Sequence, residues 1–207
     1  MRIVIIDYGA GNLRSVQKAF ETLGFSAEIT KDKAAIKGAK GVVLPGVGSF
    51  DSAIDELRNF GLETAIEAAI ALGKPFLGIC LGMQHLFESS EEGVKKGLGL
   101  FKGEVKRFAF SGTPWNNLSV PHMGWNRLLI KHPAPIFTGI EDGNMVYFAH
   151  SYHVVPKDEQ IVATRTDYGP EFVSAIWKDN VFGIQFHPEK SGEVGLKILG
   201  NFGKLCR

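Results

Sequence analysis

Residues 75–84 read PFLGICLGMQ, an apolar run that ends in a cysteine with a glycine two positions away on either side. Residues 75–79 have the composition of a strand buried on both faces, and residues 81–88 have that of a short helix. A strand that turns directly into a helix is the repeating unit of a parallel α/β sheet. The segment therefore predicts an α/β fold with Cys80 at the carboxyl end of a buried strand.

The rest of the first half repeats this alternation. Apolar runs predict strands over 2–7 (RIVIID), 27–29 and 41–44, and amphipathic periods predict helices over 12–23, 52–60 and 62–72. Gly24 and Gly73 are expected to end the helices that precede them. This order predicts a mostly parallel sheet, because parallel strands need helical crossovers to connect them.

The second half has a different pattern. Short strands separated by turn-rich segments are predicted over 104–108, 125–130, 145–150, 160–166, 173–177 and 181–186, followed by a closing helix over 192–205. We expect these strands to add antiparallel pairs to the sheet. With no linker-like stretch, residues 1–207 are expected to form one three-layer, flavodoxin-like domain, its central sheet covered by helices on both faces.

Composition narrows the classes of partner and compartment. The formal net charge is +1 and the basic residues are spread along the chain, so no nucleic-acid partner is predicted. No apolar stretch is long enough to cross a bilayer, so no membrane partner is predicted either. Cys80 and Cys206 are the two cysteines, too few for a disulfide framework, which favours free thiols in a reducing, cytoplasmic compartment.

Cys80 itself has two interpretations. Free cysteine is among the most buried residue types, so Cys80 is explained equally well as a packed core thiol. Alternatively, the spacing G-I-C-L-G matches a nucleophile elbow, in which glycines permit a strained turn between a strand and a helix. In that case the helix N-terminus at Leu81 and a nearby imidazole would favour the thiolate.

A candidate imidazole lies in the segment VFGIQFHPEK, residues 181–190. His187 follows a predicted strand, and Glu189 lies two positions further on, across a proline, where a carboxylate can orient the ring. An isolated H-x-E is more often a surface turn. Together with the elbow at Cys80 it favours a thiol–imidazole–carboxylate triad.

The third element is Pro45-Gly46-Val47-Gly48, which follows the predicted strand over 41–44. Such a glycine-rich corner can aim backbone N–H groups at an oxyanion, beside the N–H of Leu81. On its own it is more often only a turn.

Along the chain, the glycine-rich corner comes first, the Cys80 elbow second and the H-P-E segment last. Three elements in that order resemble the class I (triad-type) glutamine amidotransferase family, and the resemblance covers the whole chain. The resemblance implies that the Cys80 thiolate attacks the side-chain amide of glutamine, that His187 protonates the departing ammonia and that Glu189 steadies the imidazolium. It also implies a glutamine site formed by Gln84 and the backbone around Ser151 and Tyr152, with no metal and no organic cofactor.

Four further segments resemble one branch of that family, the glutaminase subunits of imidazole glycerol phosphate synthases. They are DYGAGNLRSV (7–16), LPGVGSF (44–50), PHMGWN (121–126) and YFAHSYH (147–153). The branch implies a heterodimer with a (β/α)8 cyclase of histidine biosynthesis, which receives the ammonia through a channel. The residues expected at or near that interface are Asn12, Trp125, Tyr147 and Lys190, although the two aromatics could be core residues and Lys190 a solvated charge.

One position departs from the wider family. Many amidotransferases carry a glycine where this chain has Val47, and a β-branched residue resists the positive φ values that glycine adopts freely. We expect the peptide between Gly46 and Val47 to rest with its carbonyl toward the site. The glutaminase would then stay nearly idle until the partner turns that peptide over.

Other interpretations stay open at this point. The same triad could serve a chorismate-using synthase or hydrolyse another γ-glutamyl substrate, or the chain could be a silent regulatory subunit. A nucleotide site at Gly9-Ala10-Gly11 is disfavoured, because the third glycine of the fingerprint is replaced by Arg14. A metal site is also disfavoured, because on one strand His150 and His153 would point to opposite faces. His150 is instead expected to be a structural residue near the site.

Overall fold

The computed structural model describes residues 2–207. The strands of the first half are β1 (Arg2–Ile6), β2 (Ser26–Thr30), β3 (Gly41–Gly46), β4 (Phe76–Cys80) and β5 (Ser89–Ser90). Those of the second half are β6 (Gly103–Arg107), β7 (His122–Arg127), β8 (Leu129–Ile130), β9 (Met145–His150), β10 (Tyr152–Pro156), β11 (Val162–Asp167), β12 (Glu171–Lys178) and β13 (Val181–Ile184). The α-helices are α1 (Leu13–Thr22), α2 (Lys33–Gly38), α3 (Phe50–Asn59), α4 (Leu62–Ala71), α5 (Leu81–Gln84) and α6 (Gly192–Leu205).

One large mixed sheet forms the centre, with the order β2-β1-β3-β4-β13-β12-β10-β6-β5. From β2 to β13 all neighbours are parallel, and β12, β10 and β6 continue the sheet with antiparallel pairs. Strands β8 and β11 extend it beside β12, while β7 and β9 form a separate antiparallel pair. The predicted α/β class, with a parallel first half and antiparallel additions, is confirmed.

The sheet separates two apolar layers, as the alternation of side chains along a strand requires. From β1, Ile3 and Ile5 pack into a cluster with Phe20 and Phe202 of helices α1 and α6. The intervening Val4 and Ile6 pack on the other face, in a cluster that includes residues of α3 and α4. Within residues 2–207, no helix is both long and apolar enough to span a membrane.

The order of the strands positions the two halves of the chain. Strand β13 inserts beside β4 in parallel register, with Ile184 opposite Ile79. The carboxyl end of β13 therefore lies next to Cys80, although the two segments are about a hundred residues apart in sequence.

One predicted helix was wrong, and helix α2 and strands β5 and β10 were not predicted; the strand predicted over 125–130 is divided between β7 and β8. The helix predicted over 81–88 is only the single turn α5. After Gln84 the chain continues in tight turns, and the backbone N–H of Glu88 bonds to the carbonyl of Gly103 and not to a helical partner. Helix α2 was missed; the Asp32 side chain caps it by accepting a hydrogen bond from the N–H of Ala34. Strand β10 was missed because its apolar pattern is short and becomes regular only through pairing with β6.

Candidate active site

Cys80 ends β4 in a conformation that few residues other than glycine adopt. Its φ of 55° and ψ of −110° place it in a strained turn that starts α5 at the next residue. A Cβ atom on Gly78 would lie 2.7 Å from the carbonyl oxygen of Gly82, and one on Gly82 would overlap the carbonyl oxygen of Leu44. The two glycines are therefore required for the turn to close against β3.

His187 and Glu189 meet this turn from β13. The Nδ1 atom of His187 lies 2.9 Å from Oε1 of Glu189, and their side chains are only 4% and 1% exposed. The proline between them starts the 3₁₀ turn Pro188–Lys190, which brings the carboxylate back to the ring. A second contact holds the backbone, because the N–H of His187 donates to the carbonyl of Tyr147 on β9.

The charge of the imidazole depends on its neighbours. Burial alone lowers the pKa of His187, but hydrogen bonds to Cys80 and Glu189, together with the negative charges on both, outweigh it and raise that pKa to about 10. His187 is therefore an imidazolium at neutral pH, held between the negative charge of Cys80 and the carboxylate of Glu189. An imidazolium in that position can give a proton to a leaving group.

The loop 46–48 lies directly across from the elbow. Gly46 is opposite Cys80 in the β3–β4 register, and a Cβ atom there would lie 2.9 Å from that of Leu81. Gly48 takes a φ of 104°, whereas Val47 is not among the non-glycine residues with positive φ in the described chain. The strained position of the loop is thus Gly48, and Val47 keeps an ordinary φ with its side chain largely exposed.

Below the loop, Tyr8 supports the strand end. Its hydroxyl donates to the carbonyl of Pro45 at 2.9 Å, and it is fully buried. Burial, reinforced by the nearby charge of Cys80, strongly raises the pKa of Tyr8, so the phenol stays protonated and remains a donor.

A cavity of about 220 Å³ opens beside the sulfur. It is lined by Val47, Gly48, Cys80, Leu81, Gln84, Glu92, Pro121, Met123, Ala149, His150, Ser151 and Tyr152. The structure thus brings together the predicted nucleophile, most of the predicted oxyanion loop and all three predicted glutamine-binding residues. A larger cavity of about 570 Å³ shares Val47 and Gly48 but contains none of the triad, so volume alone would misplace the site.

Sequence reasoning missed Glu92, the acidic residue of this lining. One of its carboxylate oxygens accepts the N–H of Phe50 at the start of α3, at 2.9 Å. The carboxylate is therefore held in place at the cavity wall. Nothing in the run Ser89–Gly93 marks one glutamate over its neighbour Glu91, so this role depends on the tertiary fold.

Sequence reasoning also missed Gln185, which joins two predicted site residues. The Nε2 of Gln84 donates to the carbonyl of Tyr152 at 3.0 Å and to Oε1 of Gln185 at 3.1 Å. The Nε2 of Gln185 in turn lies 3.5 Å from the sulfur of Cys80. The sequence did indicate this role, because residues two apart along a strand point to the same face and Gln185 lies two residues before His187.

A chain of imidazoles supports the other wall of the cavity. The carbonyl of Tyr152 can only accept, so Nδ1 of His150, 2.8 Å away, carries the proton. Nε2 of His150 must then accept from Nδ1 of His122 at 3.1 Å, and Nε2 of His122 accepts from the amide of Asn126 at 3.3 Å. Burial lowers the pKa of His122 to about 4 and that of His150 well below its ordinary value, so both rings are neutral.

The prediction that His150 and His153 point to opposite faces of one strand was wrong. The chain leaves β9 at His150 and enters β10 at Tyr152. Both rings consequently pack on Phe108, at centroid distances of 5.4 and 4.7 Å.

Three of the four predicted interface residues form one cluster beside the site. The rings of Trp125 and Tyr147 meet edge to face at 6.1 Å, and Nζ of Lys190 lies 6.0 Å from the Tyr147 ring. Trp125 is 52% exposed and is therefore not a core aromatic. Asn12 lies in the turn before α1, a helix that packs against the 3₁₀ turn carrying Lys190.

Comparison with known proteins gives a consistent set of relatives. The family model "Glutamine amidotransferase class-I" matches residues 4–205. The chain is 53% identical to imidazole glycerol phosphate synthase subunit HisH of Syntrophotalea carbinolica, over 98% of this chain and all of that one. It is 50% identical to the protein of the same name from Aquifex aeolicus, over 98% and 96% of the two chains.

Solved structures show the same fold at low identity. A glutamine amidotransferase aligns with a TM-score of 0.74 at 20% identity, covering 98% of each chain. PurLQS from Thermotoga maritima aligns with a TM-score of 0.72 at 23% identity, covering 97% of this chain and 96% of that one.

Proposed function

Because this chain belongs to the class-I glutamine amidotransferase family, we propose that it is the glutaminase subunit of an imidazole glycerol phosphate synthase. In this role it hydrolyses glutamine to glutamate and ammonia, and the ammonia enters histidine biosynthesis. The proposal is carried by one observation: Cys80, His187 and Glu189 meet at the ends of two parallel strands beside an amide-lined cavity. The relatives at 50–53% identity favour an imidazole glycerol phosphate synthase over a chorismate-using synthase as the enzyme that receives the ammonia.

The geometry supports a two-step reaction through a thioester. The Cys80 thiolate forms a bond to the side-chain amide carbon of glutamine, and N–H groups of Leu81 and of the loop 46–48 hold the resulting oxyanion. When the C–N bond breaks, His187 gives its proton to the departing nitrogen, which leaves as ammonia. Water then attacks the thioester while His187 takes back a proton, which releases glutamate and restores the thiolate.

The cavity wall supplies groups for both ends of an amino acid. The Glu92 carboxylate is suited to the α-ammonium of glutamine, because it is the acidic group of the lining. Gln84 and the backbone of Ser151 and Tyr152 offer amide donors and acceptors for the rest of the molecule. Neither the triad nor this set of residues calls for a metal or an organic cofactor.

The partner in this proposal is a (β/α)8 cyclase, bound in a heterodimer over the Trp125, Tyr147 and Lys190 cluster and near Asn12. The exposed aromatic surface beside the catalytic cavity suits burial against another protein. A channel between the two sites has a chemical purpose, since ammonia released into water at pH 7 is mostly protonated and no longer nucleophilic. The buried free thiols Cys80 and Cys206 fit a reducing, cytoplasmic compartment.

Control of the reaction is assigned to Val47. In the resting state the carbonyl of the Gly46–Val47 peptide faces the site, so that one N–H donor for the oxyanion is missing. The partner turns this peptide over. The exposed position of Val47, beside the mouth of the cavity, makes it accessible to a bound cyclase.

Glutamate production from glutamine, measured with and without an imidazole glycerol phosphate-forming cyclase, tests the proposal. We expect substantial turnover only in the complex, and a loss of at least a thousandfold in Cys80→Ala, since removing a triad nucleophile has effects of that order. Size-exclusion chromatography should show that Cys80→Ala still binds the cyclase. Cys206→Ala is the matched control, because Cys206 lies in the core beside Gly41 and should keep wild-type turnover. Full turnover in Cys80→Ala would refute the mechanism.

A further inference from the structure

The side-chain amide of Gln185 lies between the sulfur of Cys80 and the amide of Gln84. We infer that Gln185 is a catalytic residue: its Nε2–H stabilises the Cys80 thiolate, while its Oε1 fixes Gln84 for substrate binding. This inference rests on the proposed role of Cys80 as the nucleophile. It adds a donor to the sulfur besides the imidazolium of His187.

The position of Gln185 follows from the sheet. Ile184 pairs with Ile79 in the parallel β13–β4 ladder, so the next residue of each chain segment, Gln185 and Cys80, lie side by side. The backbone N–H of Gln185 donates to the carbonyl of Ser174 at 2.9 Å, which fixes the peptide on the neighbouring strand. The residue is completely buried.

The orientation of the amide is set by a backbone group. The carbonyl of Tyr152 can only accept, so the atom of Gln84 that faces it is the Nε2 donor. That same nitrogen faces Gln185, which must therefore present its Oε1. The Nε2–H of Gln185 is left pointing at the sulfur, 3.5 Å away.

An N–H aimed at this sulfur has a chemical use. A buried thiolate has lost most of its hydration, and hydrogen bonds from the protein are what replace it. Hydrogen bonds to charged groups contribute more than those between neutral groups. A shift of the substrate-binding Gln84 would also be transmitted to the sulfur through the same amide.

Gln185→Glu separates the two functions of the side chain. The carboxylate keeps an oxygen that accepts from Gln84 but replaces the donor at the sulfur with a second acceptor. Gln185→Met loses both contacts at a similar size. Gln160→Glu makes the same chemical change at an exposed position and is the matched control.

The first measurement is the rate of iodoacetamide alkylation at Cys80 as a function of pH, read by mass spectrometry. Burial raises the pKa of Cys206 to about 12, so that thiol stays unreactive over the range used. In Gln185→Met we expect alkylation at pH 7 to slow about tenfold, the effect of losing one charge-assisted hydrogen bond. In Gln185→Glu it should slow further, because the carboxylate adds a negative charge beside the sulfur. Gln160→Glu should match the wild type at every pH.

The second measurement is steady-state glutaminase activity in the complex with the cyclase. Gln185→Glu should lower kcat about tenfold with little change in KM, because Gln84 keeps its acceptor. Gln185→Met should lower kcat and also raise KM. If Gln185→Glu does not fold, as judged by circular dichroism, the alkylation profile of Gln185→Met decides, since it also lacks the donor.

The inference is overturned if the variants that fold alkylate at the wild-type rate across the pH range and keep the wild-type kcat. Gln185 would then only pack the core. A failure of the proposed function looks different. In that case the wild type itself shows no Cys80-dependent turnover with the cyclase, whereas the alkylation rates still report whether Gln185 acts on the sulfur.

Discussion

His187 combines two properties that usually oppose each other, since its side chain is almost fully buried and yet charged. Burial lowers the pKa of His187, and the hydrogen bonds and negative charges of Cys80 and Glu189 together raise it again. One oxygen of Glu189, Oε2, is buried with no hydrogen-bond partner. The carboxylate therefore bonds to the imidazole through Oε1 alone. Because this bond holds Nδ1, the opposite edge of the ring is oriented toward the sulfur.

Val47 is the residue at which resting activity is expected to be set. Val47→Gly removes the β-branched side chain that resists positive φ, a resistance of roughly 1–2 kcal/mol. We therefore expect partner-free glutamine hydrolysis to rise about tenfold, with little change in the complex. Glutamate production by the isolated chain, compared with that of wild type, is the measurement. An unchanged basal rate would mean that the side chain at this position does not hold the loop.

Among the elements, the elbow and the strand pair β7–β9 contribute to the site in different ways. The β4–α5 elbow is fixed by close backbone contacts, because neither Gly78 nor Gly82 has room for a Cβ atom. The β7–β9 pair acts through polar side chains. Along β7, His122 is buried and bonds to His150 of the cavity wall, while Met123 and Trp125 are exposed on the other face. On that face Met123 lines the cavity and Trp125 packs against Tyr147.

We expect the β7–β9 pair to influence glutamine binding through His122. In His122→Phe the ring can still stack on Tyr168, 3.9 Å away between centroids in the wild type, but it cannot donate to His150. His150 then loses the donor to its Nε2 atom, so the ring that donates to the Tyr152 carbonyl is held less firmly. The KM for glutamine in the cyclase complex should rise about tenfold, with a smaller change in kcat, as expected for the loss of one buried hydrogen bond.

His132→Gln is a suitable control for this variant, because His132 is exposed, lies outside the cavity lining and bonds to the carbonyl of Val162. Its KM should stay at the wild-type value. A KM within twofold of wild type in a folded His122→Phe would show that the imidazole chain does not position the substrate.

At the scale of the whole molecule, the fold class and the segments that carry the triad could be predicted from the sequence, but several contacts around the cavity could not. Cys80 and His187 could be predicted because each follows a strand in a parallel sheet, and strand ends of such a sheet converge. Glu92 could not, because its position depends on how a loop returns to the start of α3. The His122–His150 pair was also missed, since it requires the β7–β9 register, which no local pattern encodes.

The buried histidines should give the whole molecule a limited pH range of stability. Burial lowers the pKa of both His85 and His122 to about 4, from an ordinary value near 6.5. Between these two pH values the two histidines are protonated in the unfolded chain but neutral in the folded protein. The free energy of unfolding should therefore fall as the pH drops from about 6.5 to 4.

His187 has the opposite effect, because its pKa is raised to about 10. Its stabilising contribution is complete below pH 6.5 and should be lost as the pH rises from about 6.5 to 10. Chemical denaturation over pH 4–10 should therefore show a maximum of the free energy of unfolding between these limbs. His122→Phe should flatten the acid limb, and Cys80→Ala should flatten the alkaline limb by removing a partner of His187. If the free energy of unfolding of both variants changes with pH as in the wild type, the charges assigned to these imidazoles are wrong. The protonation states given for His187 and Cys80 in the reaction would then be wrong as well.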